Sequence, residues 1–170
     1  MVDEALPRGV ADSPLPVEVH FDGACQETPI GRVAGFGFTV DGAGFHAEDR
    51  GMCVPPGHDR ATNNVAEYTG AVRALEWLHG RGYSGPVRVV GDSQLVIRQM
   101  TGEYRVEAEH LRPYHEWLGS LARRFSSVEF VWVPREENVR ADALSQEAVR
   151  DAVRAAEPPS KGRTERRRRS

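Results

Sequence analysis

Apolar and polar side chains alternate in Val17-Glu18-Val19-His20-Phe21, the period-two pattern of a strand with one buried face. The pattern returns in Gly35-Phe36-Gly37-Phe38-Thr39-Val40, which runs into Asp41-Gly42, a turn signal. A third strand over about residues 44–53 completes an antiparallel meander. Beyond Thr62, a good N-cap, the period changes: Val65, Tyr68, Val72 and Leu75 fall at helical spacing as far as about His79, and glycine-rich chain follows. Residues 86–91 form a short apolar strand that delivers Asp92 and Ser93 to the start of another helix. Residues 109–125 predict an amphipathic helix with Leu111, Trp117, Leu118 and Leu121 available for burial. Residues 128–133 predict a fifth strand, and a last helix runs from Asn138 to about Ala155. Three strands, then helix, strand, helices, strand and helix, predict an α/β fold: a mixed sheet with helices packed on it.

The chain of 170 residues is 39% hydrophobic, enough for one core. Residues 1–15 are expected to be a flexible leader, 16–156 the single folded domain and 157–170 a basic, disordered tail. No run of about 18 apolar residues is present and the first residues lack a signal-peptide pattern, so no membrane association and a cytoplasmic location are expected. Cys25 and Cys53 stand in unrelated contexts without metal-ligand spacing, as free thiols would. The net charge of -3 hides an asymmetry: residues 158–170 carry six cations against Glu165, or +5, which leaves -8 for the remainder. An acidic body cannot hold a polyanion through its overall charge.

Four carboxylates occur in distinctive local frames. Asp22 lies in His20-Phe21-Asp22-Gly23-Ala24, Glu67 in Thr62-Asn63-Asn64-Val65-Ala66-Glu67-Tyr68, Asp92 in Gly91-Asp92-Ser93-Gln94, and Asp142 in Asn138-Val139-Arg140-Ala141-Asp142. Taken singly, each has a plain alternative. Asp22 reads equally as a turn aspartate ending a strand, Glu67 as an exposed helix carboxylate and Asp92 as an N-cap. Glu67 nevertheless falls on the edge of its helix's apolar face, and Asp142, three residues after Val139, shares the inward side of the last helix. Gly23 and Ala24 are small enough to let a backbone or a phosphate come close. Acids gathered without a basic partner repel one another unless a divalent cation neutralises them.

In this order and with these frames, the four acids resemble the catalytic residues of ribonuclease H, type I, over about residues 17–150. The resemblance implies a five-stranded sheet, three strands antiparallel and two parallel. It also implies endonucleolytic cleavage of the RNA strand of RNA/DNA hybrids, giving 5′-phosphate and 3′-hydroxyl ends. Two Mg²⁺ ions, with Mn²⁺ as an alternative, would be held by Asp22, Glu67, Asp92 and Asp142. Asp22 would bridge them, Asp92 and Asp142 would complete their shells, and Glu67 would serve the leaving-group side and contact the 2′-hydroxyl. Gly23, Thr62, Asn63, Asn64 and Gln94 would contact substrate, Asn64 and Gln94 in the minor groove and Thr62 and Asn63 at a DNA phosphate. A monomer is expected.

The sequence departs from the family pattern twice. Residues 98–109 are short and not basic where many members insert a basic, tryptophan-containing protrusion, so the chain resembles the compact forms. Only Pro134-Arg135-Glu136-Glu137 precedes Asn138, where the best-known members carry a loop histidine; His110 and His115 lie on a helix elsewhere. Arg166 to Arg169 are either a plain basic tail or a phosphate grip that replaces the protrusion. Double-stranded RNA or RNA–DNA junctions as substrate, and a binding module with weak catalysis, are the competing readings.

Overall fold

The computed structural model describes residues 14–159. Most of the expected leader and the Arg166 to Arg169 run lie outside the described residues. The strands are β1 (Val17–Thr28), β2 (Gly31–Gly42), β3 (Phe45–Met52), β4 (Pro86–Gly91) and β5 (Ser127–Trp132). The helices are α1 (Asn63–Gly80), α2 (Gln94–Thr101), α3 (Arg112–Ala122) and α4 (Val139–Ala155). The sheet order is β3-β2-β1-β4-β5, with β1, β2 and β3 antiparallel and β4 and β5 parallel to β1. Among the described residues no helix is long and apolar enough to cross a membrane.

Period-two burial of Val17, Val19 and Phe21 meets the helical stripe Val65, Tyr68, Val72 and Leu75, all fully buried. These form the main core with Phe38, Val40, Val87, Val89 and Leu118. On the other face α4 lies over β1, β2 and β3, and its inward stripe is Ala141, Leu144, Ser145, Ala148 and Val149. Gly37 allows this packing: a Cβ there would stand 2.5 Å from Leu144 Cβ and 2.7 Å from Ser145 N. Arg50 bridges Glu147 and Asp151, and Arg140 pairs with Glu48, so salt bridges also tie β3 to α4.

Several expectations are corrected. β1 does not stop at Asp22; only its pairing with β4 stops there, at Phe21 opposite Gly91, and the strand continues against β2 to Thr28. The turn between β2 and β3, expected at Asp41-Gly42, falls at Ala43-Gly44, whose positive φ values of 50° and 84° suit a two-residue hairpin loop. Residues 109–111 form a single 3₁₀ turn, and α3 starts only at Arg112, with Pro113 in the first turn, where its missing N–H is tolerated. Trp117 is 39% exposed and lies under the Arg73 guanidinium, 5.6 Å from the ring centre, instead of in the core. Val139 is 65% exposed, so Asp142 sits beside the inward stripe and does not share a buried face with Val139.

Candidate active site

Asp22 lies in mid-β1 and is 4% exposed. Glu67 projects from the second turn of α1, whose N-terminus is capped by Thr62, the hydroxyl accepting from Val65 N at 3.2 Å. The close approach foreseen at Gly23 is made by helix backbone: any Cβ at Gly23 would overlap Glu67 N and Ala66 C. This contact brings Glu67 to Asp22. Asp92 follows β4, and the capping role open to it falls instead to Ser93, whose Oγ accepts from Val96 N at 3.2 Å. The Asp92 carboxylate is thereby left for other work.

Asp22, Glu67 and Asp92 each present an oxygen within 4.8 Å of the others. Asp142, from the first turn of α4, lines the same cleft of about 340 Å³ but stands outside that trio. Its Oδ1 accepts from Gln146 Nε2 at 3.1 Å, and Arg135 approaches it at 3.4 Å. Burial pushes the Asp22 carboxyl up to about 7; the Ser145 hydroxyl, donating to Oδ2 at 2.8 Å, opposes the rise and the Asp92 charge adds to it. Glu67 is raised well above the ordinary carboxylate range, first by burial and then by the charges of Asp22 and Asp92. Glu67 Oε2 is buried with no hydrogen-bond partner. A partnerless acceptor beside two other carboxylates fits a hard divalent cation that takes oxygen ligands, Mg²⁺ or Mn²⁺.

Of the expected substrate contacts, Gly23, Asn63 and Asn64 line the cleft. Asn64 also borders a neighbouring cleft of about 490 Å³ shared with Leu95, Gln99, Tyr104 and Arg105. Thr62 is engaged as the α1 cap, and Gln94 is exposed at the start of α2, neither of them lining the acidic cleft. The loop residues Glu136 and Glu137 are exposed and face a separate cleft. His115 is half-buried on α3, its Nε2 3.2 Å from the Gln99 carbonyl.

Sequence reasoning passed over four residues at the site. Asn138 is 1% exposed, and its Nδ2 donates to Phe21 O at 2.9 Å and to Asp92 Oδ1 at 3.4 Å. Ser145 and Arg135 bear on Asp22 and Asp142, and Trp132 Nε1 donates to Asp92 O at 3.2 Å. A usable signal was the serine in the apolar stripe Ala141, Leu144, Ala148: a buried hydroxyl needs a partner. Asn138 offered less, because an asparagine preceding a helix reads as a cap, and here its side chain makes no capping bond.

A family model described as reverse transcriptase-like matches residues 44–148. The chain is 36% identical over 136 residues to ribonuclease HI of Halobacterium salinarum, covering 80% of this chain and 65% of that protein. It is 32% identical over 145 residues to the bifunctional protein Rv2228c of Mycobacterium tuberculosis, covering 84% of this chain and 38% of that protein. The chain therefore spans less than two thirds of the length of these curated relatives. The crystal structure of the Halobacterium salinarum RNase H1 superposes with a TM-score of 0.69 at 32% identity, covering 81% of this chain and 99% of that one. LC11-RNase H1 in complex with an RNA/DNA hybrid gives 0.70 at 31% identity, with 81% and 99% covered. With the sheet order, the convergent acids and these likenesses in agreement, the chain belongs to the type 1 ribonuclease H family.

Proposed function

We propose that this protein is a divalent-cation-dependent endonuclease that hydrolyses the RNA strand of RNA/DNA hybrids, leaving 5′-phosphate and 3′-hydroxyl ends. The observation that carries this reading is the convergence of Asp22, Glu67 and Asp92 around the partnerless Glu67 Oε2. Such a set of acids is electrostatically unfavourable by itself and becomes favourable around a cation. The relative solved with an RNA/DNA hybrid bound supports the substrate class.

Asp22, Glu67, Asp92 and Asp142 would together hold two Mg²⁺ ions, with Mn²⁺ as substitute. When bound, such ions lower the pKa of an attacking water and offset charge on the phosphoryl and departing oxygens. The chain's own residues prepare the site. Ser145 and the α4 packing orient Asp22, the Gly23 approach sets Glu67 beside it, and Asn138 directs Asp92. Asn63 and Asn64 offer amide donors and acceptors at the rim, where a 2′-hydroxyl distinguishes RNA from DNA. Thr62, the N-cap of α1, and Gln94, the first residue of α2, would meet the substrate outside the acidic cleft. Arg135 sets a guanidinium at the edge of the cleft, a donor fork suited to a phosphate.

The test is incubation with a labelled RNA/DNA hybrid, with Mg²⁺ or Mn²⁺ and with chelator, beside RNA/RNA, DNA/DNA and single-stranded controls. Metal-dependent cutting confined to the RNA of the hybrid is expected. Equal cutting of double-stranded RNA would move the substrate class. Hybrid binding without cleavage in either metal would overturn the enzyme in favour of a binding module.

A further inference from the structure

We propose that His20 is a positioning residue for Asp92, acting through Asn138. The inference rests on the functional reading above, because it concerns a carboxylate of the same site. His20 does not line the acidic cleft; it lies behind Asn138, on the separate cleft of about 620 Å³ that also includes Glu136 and Glu137. Its ring is held between two oxygens. Nε2 is 2.6 Å from Glu18 Oε1, and Nδ1 is 3.3 Å from Asn138 Oδ1.

The direction of this chain follows from the chemistry of its far end. The Asn138 amide is buried, and one of its two terminal atoms faces Phe21 O at 2.9 Å and Asp92 Oδ1 at 3.4 Å. A backbone carbonyl only accepts, so the atom facing it is the amide nitrogen. The amide oxygen then faces His20, and Nδ1 of the imidazole is the donor. Hydrogen bonds thus run inward from His20 Nδ1 to Asn138, and from Asn138 to Asp92.

The far end of this chain reaches the Asp92 carboxylate itself. Asp92 lies just beyond the β4 ladder, its capping role is taken by Ser93, and its carbonyl is tied to Trp132. Among the described residues, Asn138 is the side chain that donates to its carboxylate. Without His20, the buried Asn138 Oδ1 loses its partner, and the amide is held only on its nitrogen side, by Phe21 O and Asp92. Outer-shell hydrogen bonds of this type commonly contribute about 10- to 100-fold in metal affinity.

Mn²⁺ binding to the full chain, followed by calorimetry, tests the proposal, alongside steady-state cleavage of a hybrid. His20→Leu is expected to weaken Mn²⁺ binding by about tenfold and to lower kcat at subsaturating metal without changing KM for the hybrid. Asn138→Ala should lose as much, and the double variant no more than either single one, since both break one chain. His20→Asn, whose Nδ2 stands at the same distance from Cβ as the imidazole Nδ1 and can still donate to Asn138 Oδ1, should recover to within about threefold of the parent. A folded His20→Leu protein with parental Mn²⁺ affinity and kcat would overturn the proposal, and so would additive losses in the double variant. Should His20→Leu fail to fold, His20→Asn against the longer His20→Gln decides: equal affinities overturn the proposal, and a weaker Gln variant supports it. The Mn²⁺ titration reads out whether or not the parent cuts a hybrid, so failure here is separable from failure of the nuclease reading.

Discussion

At the scale of single residues, Asp22 is a buried acid placed among other acids, and the sign of its titration has consequences for stability. Its carboxyl is raised from 3.8 to about 7, chiefly by burial, so the folded protein retains a proton that the unfolded chain has released. Stability is therefore lost as pH rises from about 4 to about 7, and this contribution is flat above that window. Glu67 is shifted the same way for the same first reason. For Asp22 the effect is at most about 4 kcal/mol, at about 1.4 kcal/mol for each tenfold change in proton affinity. Asp22→Asn removes the burial penalty together with the ligand. In chelator the variant is expected to melt above the parent at pH 8 and to approach it at pH 5. Mg²⁺ at pH 8 should raise the melting temperature of the parent and leave that of the variant unchanged. The same substitution should abolish metal-dependent cleavage, and a folded variant with full cleavage would remove Asp22 from the site.

At the scale of elements, the acids converge because two helices come unusually close to the central strands. α1 reaches β1 over Gly23, and α4 reaches β2 over Gly37, which is the register partner of Asp22. Gly37→Ala forces α4 outward from Leu144 and Ser145, with a cost of about 1–3 kcal/mol for overpacking. Because Ser145 also orients Asp22, this variant is expected to bind Mn²⁺ more weakly as well as melt earlier; thermal melts and Mn²⁺ titration check the two effects. The elements themselves were legible from period alone, since Val65, Tyr68, Val72 and Leu75 had one sensible placement. What period could not fix was the chain between regular elements. The hairpin turn moved to Ala43-Gly44 because backbone sign, invisible in a hydropathy pattern, selects it. Trp117 was misplaced because an aromatic on the border of an apolar stripe can equally lie under a surface guanidinium. The acids were legible through their frames, whereas Asn138 and Ser145 become meaningful only when separate elements meet.

At the scale of the whole molecule, charge is distributed against the proposed substrate. The body carries -8 through residue 157, part of it in the acidic cleft, while residues 158–170 carry +5. Cations in the cleft offset only the local part of this charge, so approach of a hybrid needs positive charge from elsewhere. Arg135 at the cleft edge is one source. The tail is a second, and its sequence begins a short distance after α4, whose Val149 and Ala152 cluster with Val33. α4 lines the acidic cleft through Asp142 and Gln146, the latter nine residues before the helix ends at Ala155. If the tail grips phosphates, each cation engaged releases counterions, and the logarithm of the binding constant should fall with the logarithm of salt by nearly one per phosphate contact. Deleting residues 158–170 is then expected to make the salt dependence of hybrid binding shallower by about two to four in that slope. kcat at saturating hybrid should stay close to the parent value, since the acids are untouched. Equal slopes for the full chain and the truncated one would assign the cations of residues 161–169 to solvent and leave approach of the hybrid to the metal-loaded cleft and Arg135.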